Sequence, residues 1–223
     1  MTICIIPARA GSKRIPGKNT ATFIDTPILN IVIHSAKKSG IFDDIIVTTD
    51  DTKAIDIARD NDIHYLLRPE HLCDDNTSTK TVIAHAIEEV GCQHLEPVCC
   101  LYPTAVFTKP QHLIGSHNLL LSSNDAAFIM AAVEYAHPIE RSLHLMKDNH
   151  VMPRSPAAMS QRTQDIPKSY HDAGQFYWAA AHIWLSETPI ISIHTKAYIM
   201  PKHTIDIDEP ADWNAAEALL STW

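Results

Sequence analysis

The chain has 223 residues, 45% of them hydrophobic, which suits one globular domain with a full core. A formal charge of −8, with no Lys/Arg run beyond the first twenty residues, excludes the basic footprint of a nucleic-acid or anionic-membrane binder, and no window reaches the ~18 apolar residues of a membrane span. Five cysteines (Cys4, Cys73, Cys92, Cys99, Cys100) without CxxC spacing fit reduced, packed thiols, and the short N-terminal apolar run does not fit a signal peptide, so a cytoplasmic, soluble protein is expected.

Residues 3–7 form a β-rich apolar run, expected as a strand buried on both faces and ending at a glycine-rich loop. Residues 27–39 read as a helix, with Ile28, Ile31, Val32 and Ser35 at helical spacing and Gly40 after Lys37 and Lys38 as a stop signal. Residues 45–48 are the next strand, Asp51 caps a helix to about residue 60, and HYLLRP (64–69) is a third strand. A helix over 77–90, a strand in PVCCLYPT (97–104), a helix over 111–122 and a strand in AAFIMAAVE (126–134) continue the alternation. This order predicts a doubly wound α/β sheet covered by helices. From about 136 to 170 the periodicity loosens, which marks a functional or interfacial segment. FYWAAAHIWL (176–185) returns to a β-like run, and a closing helix begins near Pro210 with Asp208 or Glu209 as its cap and runs to the end of the chain.

In open α/β sheets ligands sit outside the carboxyl ends of the strands, and three polar segments lie there. ARAGSKRIPGKN (8–19) combines glycines, successive backbone amides and the cations Arg9, Lys13, Arg14 and Lys18, the materials of a polyphosphate site. It matches neither GxxxxGK[ST], since Asn19 follows Lys18, nor the dinucleotide fingerprint GxGxxG, and a solvated basic turn is the bland alternative. In IDID (205–208), extended alternation puts Asp206 and Asp208 on one side, where two carboxylates can share Mg²⁺ with substrate phosphates; an exposed strand end with a helix cap fits the same spacing. RPEHL (68–72), followed by Asp74, Asp75 and Thr77, is a weaker signal, since Arg-Pro before a capped helix is common. Neither HExxH nor GxSxG occurs, so a basic phosphate loop with a carboxylate pair favours direct phosphoryl or nucleotidyl transfer over acyl transfer.

IPARAGSKRIPGKN closely resembles the opening motif of the sialic-acid-type cytidylyltransferases, the CMP-nonulosonate synthetases, and the resemblance spans nearly the whole chain. It recurs in TTDD (48–51), in RPEHLCDDNTST (68–79), in LYPTA (101–105) where many members have a Gln-Pro-Thr-Ser version, and in IDIDEPADW (205–213). YHDAGQFYW (170–178) resembles the pseudaminic acid branch, whereas the neuraminic acid branch usually has an Asn-Gly-type motif there; Pro103 and Ala179 depart from that branch.

The resemblance implies a single nucleotidyltransferase domain over 1–223 with a Rossmann-like, mostly parallel sheet, and a dimerisation excursion at about 136–170 reaching over a partner's site. It implies attack of the anomeric hydroxyl of a nonulosonic acid, pseudaminic acid foremost, on the α-phosphate of CTP, with Mg²⁺ as cofactor and a homodimer as the working form. By matching position, Arg9, Ala10, Gly11, Ser12, Lys18, Asn19 and Arg68 bind the nucleotide, with Lys13 and Arg14 as helpers. Asp206 and Asp208 hold the metal and, with Arg9 and Lys18, carry catalysis. Tyr102, Thr104, Arg162, His171, Asp172, Gln175 and Tyr177 bind the sugar, Arg162 through its carboxylate. Synthetases for neuraminic or legionaminic acid are the near alternatives, and a non-catalytic nucleotide-binding protein is the distant one.

Overall fold

The computed structural model describes residues 1–221. Its centre is a seven-stranded sheet. Strand β1 (Ile3–Pro7) is followed by a short hairpin, β2 (Thr22–Phe23) and β3 (Thr26–Pro27), and by helix α1 (Ile28–Ser39). Then come β4 (Asp44–Thr49), α2 (Thr52–Asp60), β5 (His64–Leu67), α3 (Thr79–Val90), β6 (Pro97–Leu101), α4 (Pro110–Leu121) and β7 (Phe128–Glu134). The excursion contains the hairpin β8 (Leu143–Leu145) and β9 (Val151–Pro153) and the short helix α5 (Pro156–Met159). The chain returns through β10 (Tyr170–Ala180), α6 (Ala181–Leu185), β11 (Thr195–Ile199) and α7 (Pro210–Leu220).

Strand order is β11-β7-β10-β6-β1-β4-β5, with β6, β1, β4 and β5 parallel, β11 parallel to β7, and β10 antiparallel to both neighbours. The period-2 alternation of each strand sorts side chains to two layers. Cys4 and Ile6 of β1 face α1, α2 and α4 through Leu29, Ile33, Ala54 and Leu113, while Ile3 and Ile5 face α3 and α6 through Ile83, Ile87 and Trp184. Burying each such side chain contributes about 1.5–3 kcal/mol before entropy is subtracted. A third cluster, Phe23, Ile28, Val106, Phe107, Ile207 and Ala216, packs α7 and the small hairpin beneath the glycine-rich loop. Among the described residues no helix is long and apolar enough to cross a membrane.

Several expectations need correction. The run 176–185 is not one strand: β10 starts six residues earlier, at Tyr170, and its end at Ala180 turns straight into α6. An unbroken apolar run carries no periodicity to separate a buried strand from a buried helix. Strand β11, half-exposed at the sheet edge, and the two-residue strands β2 and β3 gave no pattern to read. The IDID segment joins no ladder; of the two expected cap residues it is Glu209 that caps α7. The last two residues of the expected closing helix lie outside the described residues. The excursion, expected as structurally weak, holds a defined hairpin.

Candidate active site

A cleft of about 690 Å³ opens at the carboxyl ends of β1, β5 and β6, where the doubly wound topology leaves room for a ligand. One wall is the loop after β1. The Thr49 hydroxyl donates to the Ala8 carbonyl, and the Ala10 N–H donates to Asp50 Oδ1 at 2.8 Å. Gly17, with φ +62, starts the turn of Lys18–Thr20, a left-handed position that glycine takes without strain. Asn19 is buried and donates from Nδ2 to the Arg9 carbonyl at 2.9 Å. Lys18 Nζ crosses the cleft to the Ile207 carbonyl at 2.6 Å and Asp208 Oδ1 at 3.2 Å. The TTDD segment is therefore the frame of this loop, Asp50 through Ala10 and Asp51 as the cap of α2, where it accepts from the Lys53 N–H at 2.9 Å.

Arg68, just past β5, is 5% exposed and donates from Nη2 to the Thr48 carbonyl at 2.8 Å. Burial lowers its pKa, opposed by the nearby Cys73 and Asp50. A guanidinium held on the sheet in this way has little freedom left to lose on binding.

The opposite wall is polar and comes from β6 and β10. The Tyr102 hydroxyl lies 2.9 Å from Thr79 Oγ1, its ring meets the Tyr177 ring edge-on at 5.6 Å, and the Tyr177 hydroxyl donates to the Asp172 carboxylate. Burial pushes both phenols well above their ordinary range, so they remain neutral donors. The β10–β7 register shifts between Asp172 and Tyr177, and Gly174 sits in this irregularity with φ +59. A Cβ on Gly174 would come within 2.2 Å of the Asp206 carboxyl carbon, so glycine is required for Asp206 to reach the cleft. Asp172 Oδ1 accepts the Gly174 N–H at 3.0 Å. Trp178 anchors the same strand: fully buried, it stacks on Phe42 at 5.4 Å and donates from Nε1 to Ser116 Oγ at 2.9 Å.

Asp206 and Asp208 both line the cleft. The Asp206 side chain opens to water there but is hemmed in by protein, and desolvation, followed by the charges of Asp208 and Asp172, pushes its pKa up to about 6 against the pull of Lys18. Among the described residues no group of three or more His, Cys, Asp or Glu side chains is arranged to hold a metal. The protein thus offers a carboxylate pair, and that donor set leaves positions for substrate phosphate oxygens and water.

The cleft gathers Arg9, Ser12, Lys13, Arg14, Lys18, Asn19, Arg68, Tyr102, Thr104, Asp172, Tyr177, Asp206 and Asp208. It does not gather every residue expected there. Gln175 is wholly buried behind the wall, where it accepts from Thr108 Oγ1 at 3.2 Å and donates to the Ile205 carbonyl at 3.3 Å; it clamps β10 to the IDID segment. His171 does not line the cleft, since its Nδ1 lies 2.7 Å from the Asp172 carbonyl and its ring packs on Tyr135 at 4.8 Å. Arg162 caps a turn of the excursion, away from the cleft lining. Ala10 and Gly11 belong to the loop without lining the cleft, and the Ala10 amide is already taken by Asp50. Thr79, Asp75 and Gly174 are lining residues to which the sequence assigned no role; all three lay inside recognised motifs, but only the φ of Gly174 reveals its task.

The chain is 36% identical, over 97% of its length and 95% of the relative's, to the pseudaminic acid cytidylyltransferase of Campylobacter jejuni subsp. jejuni serotype O:2. It is 29% identical to the N-acylneuraminate cytidylyltransferase of Escherichia coli O18:K1:H7, covering 96% of this chain and 51% of that protein. The solved structure of a CMP:2-keto-3-deoxy-manno-octonic acid synthetase with CTP superposes with a TM-score of 0.73 at 15% identity, covering 100% of this chain and 99% of the other, which establishes a shared fold. With the cytidylyltransferase family model matching residues 3–221, the chain belongs to the cytidylyltransferases and is a nucleotidyltransferase.

Proposed function

We propose that the chain transfers CMP from CTP to a nonulosonic acid, pseudaminic acid, releasing pyrophosphate. The observation that carries this reading is the meeting, in one cleft, of the cation-rich loop, the Asp206/Asp208 pair and the Asp172–Tyr177 wall. The sugar follows from relatives named for pseudaminic acid at 36% identity, against 29% for the neuraminate relative.

In this reading Arg9, Ser12 and Lys18 bind the triphosphate, while Asn19 and Arg68 recognise the base. The anomeric hydroxyl, presented by Tyr102, Thr104, Asp172 and Tyr177, attacks the α-phosphate. The bond to the bridging oxygen breaks, pyrophosphate leaves, and the hydroxyl proton passes to a carboxylate at this end of the cleft. Asp206 and Asp208 would hold Mg²⁺; the raised pKa of Asp206 comes first from desolvation and then from the neighbouring charges of Asp208 and Asp172, an environment in which a cation would favour the ionised carboxylate. When bound, Mg²⁺ supplies charge neutralisation as the phosphorus centre becomes crowded. The chain's own contribution is alignment and fixed electrostatics.

The active form in this reading is a homodimer. Leu143, Leu145, Val151 and Met152 of the excursion hairpin are half or more exposed, an apolar surface suited to a second copy, and Arg162 lies in the same segment. Purified protein should release pyrophosphate from CTP when Mg²⁺ and pseudaminic acid are both present, and faster than with neuraminic or legionaminic acid. Faster release with either competitor would reassign the sugar, and no release with any nonulosonic acid would end the reading.

A further inference from the structure

The four cations of the glycine-rich loop are already paired, and two carboxylates from opposite sides of the cleft share them. Asp208 Oδ1 lies 3.2 Å from Arg14 Nη2 and 3.2 Å from Lys18 Nζ. Asp75 Oδ1 lies 2.6 Å from Arg9 Nη2, and its Oδ2 pairs with Lys13 Nζ. Asp208 has a task as a metal ligand in the proposed reaction; Asp75 has none.

Asp75 is presented from a built turn. Asp74 Oδ1 accepts the N–H groups of Asn76 at 2.8 Å and Thr77 at 2.6 Å, and the Thr77 hydroxyl at 2.8 Å. The Cys73 carbonyl accepts a longer bond, 3.4 Å, from Arg9 Nη1, so the turn grips Arg9 at two points. Hydrogen bonds from Lys13 and Arg9 lower the Asp75 pKa, which keeps the carboxylate ionised across the working range. A carboxylate gripping a guanidinium and an ammonium occupies the donors that two phosphate oxygens would take. The Asp75 side chain is 38% exposed and Lys13 81%, so water screens the contact and a polyphosphate of higher charge can displace it.

We propose that Asp75 is a displaceable counterion of the polyphosphate site: it occupies Arg9 and Lys13, gives way to the β- and γ-phosphates of the nucleotide, and recaptures both cations as pyrophosphate departs. The inference rests on the reading of the loop as a triphosphate site. It assigns the turn at 73–77 a role in setting how tightly product is held.

Titration calorimetry of the full chain with inorganic pyrophosphate, and separately with CTP, tests it. D75N, with its fold checked by circular dichroism, should bind pyrophosphate about fivefold more tightly than the unaltered protein, and turnover should show correspondingly stronger product inhibition. A merely structural Asp75 would weaken binding when replaced, so the sign is diagnostic. D75E, which keeps the charge, should stay near the original affinity, and the gain in D75N should shrink when Lys13 is also replaced by Ala, the released Arg9 keeping the rest. Equal or weaker pyrophosphate binding by D75N, with the unaltered protein binding normally, overturns the inference and leaves the triphosphate reading standing. Failure of the unaltered protein to bind either pyrophosphate or CTP overturns both.

Discussion

The two walls of the cleft are built differently. The wall proposed to hold the nucleotide hangs on the parallel strands β1, β4 and β5, and its parts hold one another through direct hydrogen bonds: Ala8 to Thr49, Ala10 to Asp50, Asn19 to Arg9. The wall proposed to hold the acceptor hangs on β10, an antiparallel strand with a register shift at the site, and one of its expected members, Arg162, lies outside the cleft in an exposed excursion. The first wall is finished within the chain. The second is held from behind by Trp178 and Gln175, and the chain leading into it forms a hairpin that leaves Leu145 72% exposed.

Replacements should separate the walls, and the largest effect belongs to the carboxylates between them. Asp206→Asn removes a charge aimed at the reacting centre and should lower kcat by about 10²–10³-fold while changing CTP affinity by only a few-fold. Gly174→Ala should approach that loss from the acceptor side, because its Cβ displaces the Asp206 carboxylate. If CTP affinity collapses with turnover in Asp206→Asn, the carboxylate belongs to the nucleotide wall and the division fails.

Lys18→Met comes next. Removing a charge-assisted donor typically costs about 1.5–3 kcal/mol, or roughly 10–100-fold in the KM for CTP, and the KM for the sugar should stay put. Tyr177→Phe should do the opposite on a smaller scale: its hydroxyl bond to Asp172 contributes about 1.5–3 kcal/mol as a bond to a charged group, part of which the cleft's water restores, so a several-fold rise in sugar KM with unchanged CTP binding is expected. Steady-state kinetics with one substrate saturating reads both.

The smallest effect is a pH shift. A carboxyl whose folded pKa is raised to about 6 favours its protonated form in the fold, so its contribution to stability is fully present below the unfolded value and is lost as pH rises toward 6. Metal binding needs the opposite, ionised form. The acid limb of turnover should therefore lie near pH 6 and move to lower pH as Mg²⁺ is raised, while pH-dependent melting in EDTA should show stability falling between about pH 4 and 6. A limb insensitive to Mg²⁺ would detach Asp206 from the metal.

This asymmetry also governed what the sequence revealed. That Arg9, Lys18 and Asn19 share one cleft was legible because a glycine-rich loop after a buried strand gathers its polar groups within a dozen consecutive residues. Asp206 and Asp208 were readable through alternation, although the segment joins no strand ladder. Gln175 was misplaced because a polar residue inside a site motif can face the core side of a wall and clamp it, which only burial discloses. His171 and Arg162 fell within the expected region yet face elsewhere, since side-chain direction depends on the β10 register and on the path of the excursion. The pairing of Asp75 with Arg9 and Lys13 joins residues more than sixty positions apart and left no local trace.

Strand β10 carries one further consequence, in the order of assembly. The first 101 residues hold β1, β4, β5 and β6, a contiguous parallel sheet with the nucleotide loop already at its edge. Strands β7 and β11 pair with each other but reach that sheet only through β10, whose partners lie at residues 97–101 and 129–134. Closing so long a loop is entropically slow, so β10 is the element expected to dock late. Asp172 and Tyr177 arrive on the strand that zips the two pieces together. During synthesis the chain would complete the cation-rich end of the cleft first, and the joining of the two half-sheets is the same event that would set its second wall in place.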